Sequence, residues 1–290
     1  MKIWIITGAI ADHGSWQNAL EGGKPLLQKY GIEIELFRRF DITYTVGDEK
    51  GRKLFANGTE TLPPDRFLLY GAYDAILEGI EEALTDMGAV SINPIEAKRT
   101  ALSKLKTAQM LARHNIRQAK TMLVFRDTPS DIIIREVGLP CVLKPDTGFG
   151  GQGVTLIHDE EELKKYLEAM PDDHQDLILA QSFVATSKGR DLRALMVNGK
   201  IYGAFVRQAE NPDEFRSNVH QGGHYEDYEI TPEIEDLCTR VAKISGLGVC
   251  GLDLLFGEDG FLIGEINDSP GMARIVKMVG MENFIKAMLK

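Results

Sequence analysis

At 290 residues the chain has room for two or three modest domains, each with a core of its own. Hydrophobic residues at 43% and charged residues at 26% exclude a fibrous or disordered chain. A formal net charge of −10 argues against a general nucleic-acid or anionic-membrane binder, because neutralising phosphates needs a basic surface.

The first segment, Met1-Lys2-Ile3-Trp4-Ile5-Ile6-Thr7-Gly8, is apolar too briefly for a signal peptide and predicts a buried strand over Ile3 to Thr7. A helix is expected from Trp16 to Tyr30, with Gly31 as its C-terminal stop. Strands follow at Ile32 to Phe37, Phe67 to Tyr70 and Ala89 to Ile92, with a helix over Asp74 to Met87. This alternation predicts an α/β unit with a parallel sheet over residues 1–93, closed by Pro94.

An amphipathic helix is expected from Lys98 to His114. Strands at Thr121 to Phe125 and Cys141 to Lys144 then flank a helix over Ser130 to Val137. A glycine-rich turn at 148–153 leads to a strand at Val154 to Ile157 and a helix from Asp159 to Met170, completing a second unit over 94–180. The third unit, 181–290, holds two hairpins, 192–197 with 200–207 about Asn198-Gly199 and 249–256 with 261–267 about Glu258-Asp259-Gly260. A helix from Pro232 to Ser245 lies between them and another helix ends the chain. Cys141, Cys238 and Cys250 are scattered, as in a reducing compartment, and no run reaches the roughly 20 apolar residues of a membrane span. Sequence alone therefore predicts a soluble, cytoplasmic α+β / α/β protein.

Gly148-Phe149-Gly150-Gly151-Gln152-Gly153 satisfies G-x-G-x-x-G, but a dinucleotide site needs a helix next, and here a strand follows. A P-loop is excluded because no Gly-Lys-Ser/Thr ends the loop. A protein kinase is disfavoured because Lys144 precedes the loop and no D-F-G or A-P-E occurs. Strand, glycine loop, strand is instead a flap whose bare backbone can approach phosphate oxygens.

Glu265 and Asn267 lie two apart on one strand and share a face. A three-residue loop pairs Gly257 with Phe261 and sets Asp253 across from Glu265, beside Leu255 and Ile263. Two carboxylates and an amide oxygen among apolar neighbours would repel without a cation, and Mg²⁺ prefers such oxygens. In the first hairpin, pairing Val197 with Lys200 sets Arg193 opposite Ala204. It puts Asp191, Arg193 and Gln208 on one face, with Arg207 on the other. Arg216 and Asn218 in the polar loop 215–223 could hold anionic and polar parts of a substrate. His220 and His224 have zinc-pair spacing, but the glycines between them argue against the helix such a pair needs.

Taken in order, these motifs resemble the ATP-grasp superfamily: a helical lysine, a lysine before a glycine flap, Asp191-Leu192-Arg193, and Asp253 with Glu265-Ile266-Asn267. Phe215-Arg216-Ser217-Asn218 with Gly222-Gly223, and Glu265-Ile266-Asn267-Asp268-Ser269-Pro270-Gly271, resemble the RimK-type α-L-glutamate ligases within it. The resemblance covers roughly residues 94–280 and implies an ATP-grasp fold behind an N-terminal pre-ATP-grasp domain.

It further implies that Lys104 and Lys144 contact ATP phosphates under a flap containing Gly150, Gly151, Gln152 and Gly153. Gln181, Ser182, Phe183 and Val184 would form the adenine-edge hinge and Asp191 would meet the ribose. Arg216, Ser217 and Asn218 would lie beside the γ-phosphate and substrate, with Arg193 and Arg216 catalytic. Asp253, Glu265 and Asn267 would hold two Mg²⁺ ions, with Mn²⁺ as the alternative metal. The implied partners are a carboxylate substrate and an amino-acid acceptor in an ADP-forming ligation, with a homo-oligomer compatible with the family. A D-alanine–D-alanine-like ligase and a catalytically silent nucleotide-binding module are the rival readings. Gln208, where many RimK-type ligases have a second arginine, implies one cation fewer on the predicted site face.

Overall fold

The computed structural model describes residues 1–8, 10–47, 51–71, 73–148, 150–171, 177–211, 213–217, 224–271 and 280–288. Asn218, Phe149 and the loop holding His220, Gly222 and Gly223 lie outside them.

The N-terminal unit is the expected parallel sheet, in the order β2 (Glu33–Arg38), β1 (Lys2–Thr7), β6 (Arg66–Tyr70), β7 (Val90–Ser91). Its two inner strands, β1 and β6, are buried on both faces, so their apolar residues run almost without polar breaks, whereas the edge strand β2 alternates apolar residues with Glu33 and Glu35. Ile3, Ile5, Leu68 and Tyr70 face α1 (Ile10–Lys29). Trp4, Ile6, Phe67 and Leu69 face α2 (Ala75–Asp86), whose first amides are capped by Asp74. A small antiparallel sheet, β3 (Ile42–Tyr44), β4 (Leu54–Ala56) and β5 (Thr59–Thr61), extends the second layer and carried no clear sequence signal.

The first layer does not stop at the unit's edge. Trp16, Tyr70 and Ile92 share one core with Leu195, Val197, Phe205 and Val249 of the C-terminal sheet and with Phe284 of the last helix, α8 (Met281–Met288).

Instead of one helix over Lys98 to His114 there are two, α3 (Ile95–Leu102) and α4 (Lys104–Arg113). Ser103 breaks the run: its backbone is extended and its hydroxyl accepts from the Lys106 amide, a helix N-cap that apolar periodicity does not reveal. Asp146 completes the cap, accepting from Ser103 Oγ at 3.0 Å and from the Leu105 amide at 2.7 Å.

The middle sheet runs β10 (Thr155–Ile157), β9 (Cys141–Pro145), β11 (Ile178–Ser182), β8 (Thr121–Val124), backed by α5 (Ser130–Val137) and α6 (Glu160–Glu168). The C-terminal sheet runs β14 (His224–Asp227), β13 (Lys200–Gln208), β12 (Arg190–Val197), β15 (Val249–Gly257), β16 (Gly260–Asn267). Helix α7 (Pro232–Ser245) covers its apolar face, together with Met110 and Leu111 of α4.

Two β-bulges change the expected registers. Val197 pairs with Lys200 as expected, but Tyr202 is an extra residue, so Arg193 faces Phe205 rather than Ala204, and Asp191 faces Arg207. Arg207 thereby joins the site face and Gln208 leaves it. The inference of a missing cation is corrected: Gln208 donates to the Gly189 carbonyl at 3.4 Å. In the second hairpin Gly257 pairs with Gly260, not Phe261, around a two-residue turn. Gly264 is then the extra residue, which restores the expected Asp253–Glu265 pair. Ile263 turns to the other face, into the core with Leu254.

Candidate active site

Both hairpins of the C-terminal sheet and elements of the middle unit converge at the sheet's polar face. From β15 and β16 come Asp253, Glu265 and Asn267: Asp253 faces Glu265, Asn267 faces Gly251, and Asn267 Nδ2 lies 3.2 Å from Asp253 Oδ2. The three oxygen-bearing side chains share one side of the ribbon. Burial, then the Asp253 charge, raise the Glu265 carboxyl above its usual range, while Lys104, Lys144 and Arg193 oppose the rise.

From β12 and β13 come Asp191, Arg193 and Arg207. Arg193 grips Asp253 through Nε and, at 2.7 Å, through Nη2. It can lie flat there because Gly251 is bare: a Cβ would stand 3.0 Å from Arg193 Cδ. Arg207 Nε donates to Asp191 Oδ1 at 2.7 Å, while its Nη2 reaches both Asp191 Oδ2 and, at 2.8 Å, Asp253. Asp253 is held below the usual carboxylate range by the two guanidiniums despite its burial. Asp191 is instead raised, by burial and by Asp253, against the pull of Arg207. Ser217 Oγ donates to Asp191 at 2.6 Å. Asp191, expected at a ribose, is thus bound by Arg207 and Ser217.

From the middle unit come the lysines and the glycine loop. Lys104 opens α4, where the helix dipole already gives positive potential, so a lysine there favours a bound anion rather than the helix itself. Its ammonium donates to the carbonyls of Gly148 at 3.2 Å and Asp146 at 3.3 Å. Lys144 on β9 donates to Gln181 Oε1 at 2.8 Å. Burial brings its pKa down to about 8, helped by Lys104 and opposed by Glu265. Lys104, Lys144, Thr121, Gln181 and Gly264 line one recess, so the glycine of the second bulge forms part of its wall. The loop itself joins two antiparallel strands, with Gly150, Gly151 and Gly153 all at positive φ.

Ser182 and Phe183 leave β11 with their amides bonded to the carbonyls of Lys120 and Pro140, at 2.9 and 3.4 Å, and Val184 starts a short 3₁₀ turn. Arg216 is clamped by Glu214, with Nε–Oε1 2.9 Å and Nη2–Oε2 2.8 Å, and donates to the flap carbonyl of Gly151 at 3.2 Å. His224 lies on an exposed strand, which removes the helical geometry of a His220–His224 zinc pair. Arg207, Asp146 and Glu214 were not singled out from sequence as site residues. The isolated glycines Gly203 and Gly264, within strands, were the available hints of the bulges.

Residues 101–289 match the RimK-like ATP-grasp domain. The chain belongs to the RimK-like ATP-grasp family. A probable alpha-L-glutamate ligase of Aeromonas salmonicida is 35% identical over 224 residues, covering 73% of this chain and 74% of that protein. One of Picosynechococcus sp. is 37% identical over 197 residues, covering 68% of this chain and 65% of that protein. The chain thus spans roughly two thirds to three quarters of these relatives' length. The structure of the ATP-grasp ligase PsnB complexed with minimal precursor, Mg and ADP superposes with a TM-score of 0.67 at 20% identity, over 99% of this chain and 98% of that one. This RimK-like chain therefore has the ATP-grasp fold behind an N-terminal parallel sheet. Among the described residues no helix is long and apolar enough to cross a membrane.

The donor set of this ATP-grasp chain suits a hard divalent cation. It offers two carboxylates and an amide in place of thiolates or imidazoles, and the Glu265 carboxyl, raised by burial and then by Asp253, gains from a nearby positive charge.

Proposed function

We propose that the protein is an ATP- and Mg²⁺-dependent carboxylate–amine ligase. In this reading it joins glutamate or a related amino acid to the carboxylate of a peptide, protein or small cofactor through an acyl phosphate. The observation that carries the reading is that Glu265, paired with Asp253 and two residues from Asn267 on the same strand, lies within reach of the charges of Lys104 and Lys144, which line one recess beside Gly264. Relatives named as glutamate ligases support the amine. The precursor bound to PsnB supports a peptide-like partner.

Asp253, Glu265 and Asn267 would hold two cations, Mg²⁺ or Mn²⁺, which supply Lewis-acid neutralisation of phosphoryl oxygens when bound. Lys104 and Lys144 bind the phosphates, and the loop at 150–153 covers them. Gln181 to Val184 edge the adenine. A carboxylate oxygen attacks the γ-phosphorus, the bond to the bridging oxygen breaks, and ADP departs. The amine nitrogen then attacks the acyl carbon, sheds a proton, and phosphate leaves. Arg193 and Arg216 face charge that develops on oxygen, with Ser217 and Asn218 alongside the substrate. Arg207 keeps Asp191 and Asp253 charged and in register. Closing the flap excludes water, which would otherwise hydrolyse the acyl phosphate.

The test is release of ADP and phosphate by the purified protein against a panel of carboxylates, short acidic peptides and amino acids, with mass spectrometry of products. A condensation product carrying an added amino acid supports the reading. Phosphotransfer to a hydroxyl, or no nucleotide turnover across the panel, defeats it.

A further inference from the structure

Lys98 on α3 is wholly buried, its side chain 0% exposed. Its ammonium donates to the Leu69 carbonyl at the end of β6, at 3.2 Å, and to the carboxylate of Asp268. Burying such a pair is a poor route to stability, since an apolar pair of similar volume would serve as well or better. What the pair does supply is a fixed geometry, and its location gives that geometry a use.

Asp268 is the residue directly after Asn267. The turn it opens is held at every step. Asn93 Nδ2 donates to the Asp268 carbonyl at 2.9 Å, while the same amide exchanges bonds with Val249 N and O, both at 2.8 Å. Ser269 Oγ accepts from the Gly71 amide at 2.9 Å, and the Tyr70 hydroxyl donates to the Pro270 carbonyl. The strand bearing Glu265 and Asn267 is therefore anchored at its exit by α3 and by the C-terminal ends of the N-terminal strands.

The geometry points to Lys98 as a positioning residue for the metal site: through Asp268 it fixes where β16 ends, and so where Glu265 and Asn267 present their oxygens. This inference rests on the metal reading above. Partners one shell beyond a metal's ligands typically change its affinity by about 10–100-fold when removed.

The test uses the full chain with Mn²⁺ as probe in the presence of ADP, reading free Mn²⁺ by electron paramagnetic resonance. No acceptor substrate is needed. Lys98→Met should weaken Mn²⁺ binding by about tenfold or more, while metal-free ADP affinity, set by Lys104 and Lys144, stays within about twofold of wild type. Because that single variant leaves Asp268 buried and unpaired, Lys98→Met/Asp268→Asn is the second probe. It should regain the melting temperature without regaining Mn²⁺ affinity. Mn²⁺ affinity that recovers in step with melting temperature, or that never changes, overturns the inference and leaves a plain structural clamp. Glu265→Gln is the control: wild-type Mn²⁺ binding by that variant overturns the metal reading itself and this inference with it. Weak binding by Glu265→Gln beside normal binding by both Lys98 variants overturns the inference alone.

Discussion

Arg207 on β13 reaches across β12 to donate to Asp253 on β15 at 2.8 Å, while holding Asp191 bidentately. One guanidinium thus separates two buried carboxylates that would otherwise repel. Arg207→Met should destabilise the fold by about 3–5 kcal/mol at neutral pH, the usual cost of orphaning a buried charge. Asp191 is already raised by burial and by Asp253, so without Arg207 it takes up a proton more readily. Its ionised form is then the destabilising one, and the loss should be smaller at pH 5 than at pH 8. Urea unfolding at both pH values checks the sign.

Glu265 is raised above the ordinary carboxylate range in the metal-free protein. A folded-state pKa above the unfolded one means that ionising the group disfavours folding. The penalty begins as pH climbs past the unfolded value and is complete above the folded one. Glu265→Gln should therefore melt at or above the wild-type temperature near pH 8 without metal, yet lose nucleotide turnover by about 100-fold or more. Calorimetry with and without Mg²⁺ separates the two effects: added metal should stabilise wild type far more than the variant.

Lys144, brought down to about 8, is largely protonated at pH 7 and largely neutral at pH 9. Phosphate oxygens favour its charged form, so nucleotide binding should take up a proton above pH 8, and affinity should fall as pH rises through that value. Calorimetric titration with ADP in two buffers of different ionisation enthalpy measures the proton count. Lys144→Arg should flatten the profile, because a guanidinium stays charged throughout.

Gln208 faces away from the carboxylates, bonded to the Gly189 carbonyl. Gln208→Arg should leave nucleotide affinity and turnover within about twofold, as for substitutions that touch no charged site. A gain of tenfold would mean that the strand twists to bring position 208 inward.

Positions 207 and 208 show where the sequence was readable and where it was not. Alternation gave the β12 and β13 segments and the Asn198-Gly199 turn, because turn chemistry and period-2 patterning are local. It could not give the face of Arg207, because one inserted residue, Tyr202, reverses every side chain beyond it. The metal ribbon was reached with the right Asp253–Glu265 pair through an inexact route: a loop one residue too long compensated for the unseen bulge at Gly264. The parallel sheet at the N-terminus was legible from the alternation of strand and helix segments along the chain. The small sheet over residues 42–61 was not, since its short strands carry mixed polar residues. Ser103 was hidden within a run whose apolar spacing continues on both sides, and only its tertiary partner Asp146 explains the break.

Gly251 invites a fifth test. A methyl group there would stand 3.0 Å from Arg193 Cδ and 3.1 Å from Pro270 Cβ. Gly251→Ala should cost about 1–3 kcal/mol in stability, as overpacking does. It should also lower turnover by pushing Arg193 off Asp253, and activity at matched folded fraction distinguishes the two losses.

Trp16 and Tyr70 meet edge to face at 5.4 Å, with Phe284 of the last helix beside them, in the same core as Val197, Phe205 and Val249. The first ninety residues are consequently no detachable cap. An engineer grafting a different N-terminal unit onto this scaffold would have to transplant the whole aromatic seam, tail helix included, or leave an oily wound along the sheet that carries the carboxylates.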